Sequence, residues 1–561
     1  MMQTATRIAL LLGLTALLSV SAQAQTPTIG ADGILNAGSF AVAGLPNAGI
    51  AQGSIFSIFG DNLGPAAGTQ VDSFPLPTVP PGLAGSSVRV TVGGTAVNAI
   101  MLFTQKFQIN AVLPSNTPAG TGTLTVTYNG ATSNPSPITV LAGSFGTFTR
   151  NSQGSGPSWV QNFVSNTDQP FNSLIDSARP GQAVTLWGTG LGAVSGNEAG
   201  QPLPGNLANV NVRVLVGGRE ATLLYRGRSG CCVGVDQIVF NVPSGVSGCF
   251  VPVSVQVGNV VSNYTSMSVS PNGGSCSDPG GYTAADLERA RANGGLRTGT
   301  VSLSKVQTRL NIPGLGNLDS KTDAGSAAFV RITLDNILNQ GASSSVINPG
   351  ACSVSVQRVG PGAAPPVSNI VGLNAGAALT VSGPNGSKPI TATPNFVGTY
   401  SSILSNSIPF GANDPEYIVP GAHTITGPGG PDIGAFTASI PVPSGTTWAN
   451  EASVSNITRA NGQLVTWNGG DPNGFVYIVG ASTNAGNTVS VSFLCFERTS
   501  AGQFTIPSAV LLALPPSATT AGIPTGVLSV GTFNLGTFTA PGLDYGVTTF
   551  LAAVGKLVGY Q

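Results

Sequence analysis

The stretch Gly53-Ser-Ile-Phe-Ser-Ile-Phe-Gly60-Asp-Asn-Leu63-Gly64 returns further along the chain as Gly181-Gln-Ala-Val-Thr-Leu-Trp-Gly188-Thr-Gly-Leu191-Gly192. Each version is an apolar run closed by a Gly-x-x-Leu-Gly turn, which reads as a strand and the turn that ends it. Landmarks on either side keep step. Gly188 lies 128 positions after Gly60, and Pro243 and Asn263 each lie 129 after Pro114 and Asn134. Constant spacing over this many landmarks indicates tandem homologous units.

The rest of each unit is strand-like. In the first, Val88, Val90 and Val92 alternate with Arg89 and Thr91 and run into Gly93-Gly94. Ala99 to Phe103 follows, then Gln108 to Val112, stopped by Pro114, then Leu124, Val126 and Tyr128, ending in the hairpin signal Asn129-Gly130. The second unit repeats the order with Val212, Val214 and Val216 before Gly217-Gly218, Ala221 to Tyr225, Gln237 to Val242, and Val251, Val253 and Val255. About seven short strands per unit of roughly 100 residues is the pattern of an immunoglobulin-like sandwich.

These residues carry a resemblance. The Gly-x-x-Leu-Gly turn, the Val-x-Val-x-Val-Gly-Gly strand, the Gln-Ile-x-x-x-Val-Pro strand and the closing Ser-Asn segment resemble the IPT/TIG class of immunoglobulin-like domains. Ile34-Leu-Asn-Ala-Gly-Ser-Phe40 and Gln108-Ile-Asn-Ala-Val-Leu-Pro114 are similar to a repeat of exported proteins of Acidobacteria. The resemblance covers residues 33 to 270. It implies a sandwich fold; domains of this class serve in receptors, in transcription factors and as accessory modules of polysaccharide enzymes, and the resemblance brings no family-wide catalytic residues.

Composition agrees. Charged residues are 7% of the chain, against roughly 25% in ordinary domains, while 77 glycines and 41 prolines favour turns over helices. With 21 basic and 21 acidic residues and no basic stripe, recognition of nucleic acid or anionic lipid through bulk charge is excluded. Arg7, the apolar run Ile8 to Val20 and Ala22-Gln-Ala24 read as a cleaved secretory signal over residues 1–24, leaving a mature chain from Gln25 with no membrane span. Cysteines 231, 232, 249, 276, 352 and 495 are even in number, so three disulfides are expected in an exported chain. The second unit inserts Arg226-Gly-Arg-Ser-Gly-Cys-Cys-Val-Gly-Val235. Adjacent Cys231 and Cys232 are expected to pair separately with Cys249 and Cys276, each bridge stabilising by roughly 3 kcal/mol. Cys352 and Cys495 are left to each other.

The expected fold class is all-β: tandem sandwiches over 25–145 and 146–272, a linker with a short helix over 273–295, and one or two further sandwiches over 296–561 with a seam near 441–445. Thr283 and Asp286 make a capping box and Asn293-Gly294 a stop, so the helix spans 283–292 and docks at a domain junction. Residues 361–366 read as a loop. Sandwiches joined end to end would make a stiff rod.

Chemistry is sparse. His423 is the only histidine and no Gly-x-Ser-x-Gly elbow exists, which weighs against a Ser-His-Asp hydrolase. Glutamates number six, and Asp414 with Glu416 is the nearest carboxylate pair for glycoside hydrolysis. Asp61 with Asn62 and Asp471-Pro-Asn-Gly474 are oxygen-rich turns that could take calcium, though turn chemistry explains them; no cofactor is expected. Of the tryptophans 159, 187, 448 and 467, Trp187 stands at the position of Phe59 and Trp467 alternates with Val465, so both are assigned to cores. Trp159 is the least constrained. The expected contact residues are Trp159, Arg226 and Arg228, the last two on a pinned basic loop. The function expected is a non-catalytic surface or extracellular protein that binds protein or glycan; the alternative is a secreted polysaccharide- or peptide-degrading enzyme with its site in 296–561.

Overall fold

The computed structural model describes residues 25–278, 281–312, 316–339, 349–358, 370–486, 488–520 and 522–561. The leader expected over 1–24 and the loop over 361–366 lie outside them. With 53% of residues in strands against 6% in helices, the chain is all-β.

Each N-terminal unit is a two-sheet sandwich of the same plan. In the first, Ile55–Asp61 pairs with Gln108–Val112, which pairs with Ile100–Gln105. In the second, Ala183–Thr189 pairs with Asp236–Asn241, which pairs with Thr222–Arg228. The facing sheets centre on Ser86–Val92 with Gly120–Tyr128, and on Val212–Val216 with Gly248–Val257. Period two does the sorting: Val88, Val90 and Val92 are buried, as are Val214 and Val216, while Arg89 and Arg213 are exposed. Each valine taken fully from water contributes ~1.5–3 kcal/mol, so a single Val214→Asp would disrupt the second core. The hairpin turns need left-handed backbone: Gly93 and Gly94 have φ 56° and 80°, and Gly217 and Gly218 have 57° and 76°.

The C-terminal region is built on a 10-stranded sheet. At its middle, Gly295–Ile312 pairs in parallel with Tyr545–Tyr560, from Thr298 against Tyr545 to Arg309 against Lys556. Strands from both sides of 441–445 share this sheet, because Gly316–Thr333 and Ala351–Arg358 join it along with Phe475–Thr483 and Val489–Arg498. Two smaller sheets cover it. The one holding Gly421–Gly427 and Phe436–Val442 packs Ile425, Phe436 and Ile440 against Val301, Phe329 and Phe550. The one holding Thr446–Trp448 and Gln463–Gly469 packs Trp448, Val465 and Trp467 against Ile478, Phe493 and Val558.

The parts do not form an extended rod. Leu35 of the strand Thr28–Asn36 and Ala41, Val42 and Leu45 after it join the core of Trp448, Ile457 and Leu511. The helix Ala284–Asn293 is capped as its sequence dictates: Thr283 accepts from the Asp286 amide, Asp286 accepts from the Thr283 amide at 3.0 Å, and Gly294 takes φ 68°. Its buried Leu287 and Ala290 pack with Phe250 of the second unit and Leu296 and Ile332 of the C-terminal sheet. The helix therefore closes the junction between them. Among the described residues, no helix is long and apolar enough to cross a membrane.

Candidate functional site

The second sandwich presents an aromatic face. Alternation along Val160–Asn162 buries Val160 and Asn162 and turns Trp159, Gln161 and Phe163 outward. Trp159, Phe163 and Phe171 are 43%, 44% and 44% exposed, which leaves three large apolar side chains open on one sheet edge. Trp159 and Phe171 meet edge to face with ring centroids 5.3 Å apart. The Trp187 amide donates to the Trp159 carbonyl, and its indole Nε1 donates to Gln161 Oε1 at 2.8 Å. Register continues the row: Gln161 lies opposite Thr185, Thr185 opposite Val239, and Val239 opposite Tyr225. Gln237 stands beside Trp187 and Asn241 beside Ala183. None of these positions carries a charge.

Beneath this face the edge hairpin is clamped by a buried amide network. Asn172 Nδ2 donates to Asn162 Oδ1 and to the Ser268 carbonyl, and Asn172 Oδ1 accepts from the Ser268 amide at 2.7 Å. Asn162 Nδ2 reaches the Asp176 carbonyl. Buried amides satisfied in this way hold the segment in one conformation, so the aromatic rings are presented rather than loose. Phe396 and Phe410 are more exposed, at 66% and 93%, but each belongs to a turn without a comparable polar row.

Trp159 is thus placed on the surface. Trp187 corrects its assignment to the core: it is half-buried on the outer face, and so is Phe59, whose position it shares. The signal was in the strand itself, since Trp187 has the opposite parity to the buried Val184 and Leu186. Trp448 and Trp467 are buried, Trp467 donating to the Thr499 carbonyl.

The basic loop is also corrected. Residues 226–228 extend the strand Thr222–Arg228, and Arg228 is buried at 2% exposure. Its Nη1 lies 2.7 Å from Asp236 Oδ1, its Nη2 4.0 Å from Glu198 Oε1, and Nη2 donates to the Gly192 carbonyl. Arg226 donates to the carbonyls of Val210 and Ala208. Both guanidiniums are turned onto the protein: the strand register sets Arg228 opposite Asp236, and Arg226 meets the carbonyls of the 208–210 segment. Two carboxyl groups thus face one guanidinium. Burial pushes the Asp236 carboxyl up to about 6, against the pull of Arg228 and of the Leu191 and Gly190 amides, with Glu198 adding to the rise.

This cluster lies where the two sandwiches meet. Glu198 Oε2 accepts from the Ser115 amide at 2.8 Å, Ser115 Oγ accepts from Val194, and Thr189 Oγ1 accepts from Ile55. Val233 packs with Leu76, Ile100 and Val112 of the first unit. Gly53 must be glycine: it has φ 71°, and a Cβ there would stand 2.3 Å from Arg228 Nη2. A polar cleft of about 640 Å³ opens beside the joint, lined by Thr78, Asn98, Ser115, Asn116, Asn197 and Glu198.

The Cys352–Cys495 disulfide is as expected, and the other two differ from the expected pairing. Cys231 is bonded to Cys232, Cys249 to Cys276 and Cys352 to Cys495. The Cys231-Cys232 turn faces the first sandwich, whereas Cys249 and Cys276 are buried together beside the helix, so neither loop cysteine reaches them. Cys352 and Cys495 face each other across paired strands.

The remaining candidates are held structurally. His423 is buried, its Nδ1 3.3 Å from the Gly421 carbonyl, and burial lowers its pKa. Glu416 bridges Lys305 and Lys321, which hold its carboxyl down to about 2, while Asp414 accepts from the Asn406 amide. Asp61 caps Asn62 and pairs with Lys106, and Asp471 caps Asn473. Among the described residues, no three His, Cys, Asp or Glu side chains converge as a metal site.

No protein-family model matches the chain, and no curated protein matches it. Solved structures match in part. The plexin A4 extracellular region is 16% identical over 44% of this chain and 18% of the plexin chain, with a TM-score of 0.16. Domains 5-6 of the S-layer protein SbsC are 15% identical over 44% of this chain and 98% of theirs, with a TM-score of 0.15. The Bacteroides ovatus glucan-utilization protein SGBP-B, solved with a mixed-linkage heptasaccharide, is 13% identical over 71% of this chain and 72% of its own, with a TM-score of 0.12. Likenesses at these TM-scores say nothing of function.

Proposed function

We propose that the chain is an exported, non-catalytic binding protein of the cell surface or extracellular space, and that the outer face of its second sandwich takes a neutral glycan. The observation that carries this is the row of Trp159, Phe171 and Trp187 interleaved with Gln161, Thr185 and Gln237 on one clamped, uncharged sheet face. Sugar rings are apolar on their C–H faces and polar at their edges. Aromatic rings stack on the former, and side-chain amides and hydroxyls pair with the latter. A face without charge neither repels nor selects an ionic polymer. Three disulfides, with no free cysteine among the described residues, suit an oxidising compartment.

The test is calorimetric titration of the full chain with neutral soluble glucans, mannans and xylans. Trp159→Ala is expected to weaken binding at least tenfold, about 1.4 kcal/mol, with the chain still folded because the buried Asn162–Asn172 network that holds the segment is untouched. Equal affinity for the substituted and unsubstituted chains, or no affinity for any neutral glycan, would refute the assignment.

A further inference from the structure

The three disulfides stand in different situations. Cys249–Cys276 and Cys352–Cys495 close loops with sequence separations of 27 and 143, and their residues are at most 5% exposed. Each restrains the unfolded chain and is shielded from attack. Cys231–Cys232 has a sequence separation of 1, and both residues are exposed. A bond between neighbours closes no chain loop, so the entropic benefit of a cross-link is absent. Its turn is held by other means: the Ser229 amide donates to the Val235 carbonyl, the Val235 amide donates to the Cys232 carbonyl, and Val233 is buried against Leu76, Ile100 and Val112. The bond is thus dispensable for the turn and open to solvent.

We propose that Cys231–Cys232 is a thiol–disulfide exchange site whose co-reactant is an external dithiol. Ser229 sets the direction of the exchange. Its hydroxyl donates to Cys231 Sγ at 3.1 Å and accepts from the Cys231 amide, so negative charge is favoured on Cys231. The dithiol's thiolate attacks Cys232 Sγ and forms a mixed disulfide. The bond between the two cysteines breaks, and its electron pair stays on the Cys231 sulfur as a thiolate, to which the Ser229 hydroxyl donates a hydrogen bond. The dithiol's second thiol then displaces Cys232. The dithiol ends as a disulfide, and two electrons and two protons have passed to Cys231 and Cys232. The turn carries Val233 and Gly234 onto the first sandwich, and the Gly234 carbonyl accepts from Thr189 Oγ1. The exchange site therefore sits on the joint between the two sandwiches.

The experiment uses the full native chain, dithiothreitol as the dithiol, iodoacetamide to trap thiols, and peptide mass spectrometry to locate them. Without dithiothreitol no cysteine is labelled. With about 1 mM dithiothreitol, Cys231 and Cys232 are labelled at least tenfold sooner than the other four, and removing the dithiothreitol and adding excess oxidised glutathione before the trap restores protection. Ser229→Ala slows the opening several-fold while the two buried disulfides keep their protection. Labelling of Cys231 and Cys232 without reductant, or labelling of all six together, overturns the proposal. An unchanged rate in Ser229→Ala overturns the assigned direction of attack.

Discussion

The two N-terminal sandwiches close the strands Ile55–Asp61 and Ala183–Thr189 with the same turn and satisfy it by different chemistry. In the first, the Leu63 amide donates to the Lys106 carbonyl at 2.9 Å and the Gly60 amide to the Phe107 carbonyl at 3.2 Å. In the second, Asp236 Oδ2 accepts from both Gly190 and Leu191 at 2.7 Å. Backbone carbonyls do the work without charge. A carboxylate makes shorter, stronger bonds, but once buried it needs a counter-ion. Arg228 supplies it, and Glu198 extends the cluster to the first sandwich. The difference turns a self-contained turn into one coupled to charge and to the neighbouring domain.

The largest effect expected from this difference is at Arg228. Arg228→Met would leave Asp236 and Glu198 buried without a cation and destabilise the second sandwich by about 3–5 kcal/mol. Hydrogen exchange of the Ala183–Thr189 and Asp236–Asn241 strands in the full chain would register it; unchanged exchange there would mean that the ion cluster does not hold the turn. Next comes the Cys249–Cys276 bridge. Replacing both cysteines with serine should cost about 3–4 kcal/mol for a loop of this length, felt at the second sandwich and helix Ala284–Asn293. The first sandwich has no cysteine, and its strands should exchange as before.

A smaller effect follows from acidity. The Asp236 carboxyl titrates at about 6 in the folded chain against 3.8 unfolded. The folded state therefore binds the proton more tightly, and the second sandwich gains about 1–3 kcal/mol as pH falls from 7 through 6 towards 4. Asp278, pushed up to about 6 by burial in spite of the Cys249 amide's hydrogen bond, which lowers it, acts in the same direction. Asp236→Asn should remove Asp236's share of the slope; a second sandwich that loosens between pH 7 and 5 would contradict the buried-charge account. Glu416 runs the opposite way, since its support for the C-terminal region is lost only as pH falls below 4.5 towards 2. The smallest effect belongs to the first sandwich. Lys106 and Asp61 are 3.6 Å apart and half-exposed, so Lys106→Ala should cost less than about 1 kcal/mol in a denaturation midpoint.

The candidate face was partly legible. Trp159 stands out in the sequence as the least constrained of the tryptophans. Trp187 was hidden by analogy with Phe59, although its parity pointed outward. Arg226 and Arg228 read as a basic surface loop because adjacency in sequence does not report register; only the pairing of Arg228 with Asp236 turns that charge inward.

What the sequence by itself determined was local: alternation that sorts Val212, Val214 and Val216 from Arg213, glycine pairs at turns that need positive φ, the Thr283–Asp286 capping box, and the spacing that marks two copies. These depend on residues within a few positions of one another, and such preferences act wherever the segment sits. The tertiary structure alone decided that Cys231 meets Cys232 and Cys249 meets Cys276, that Arg228 is buried, that Ala41 and Val42 complete a core with Trp448, and that strands from both sides of 441–445 share one sheet. Those outcomes are set by register and packing between segments far apart in sequence, where a shift of one residue in pairing would reverse every side chain's face.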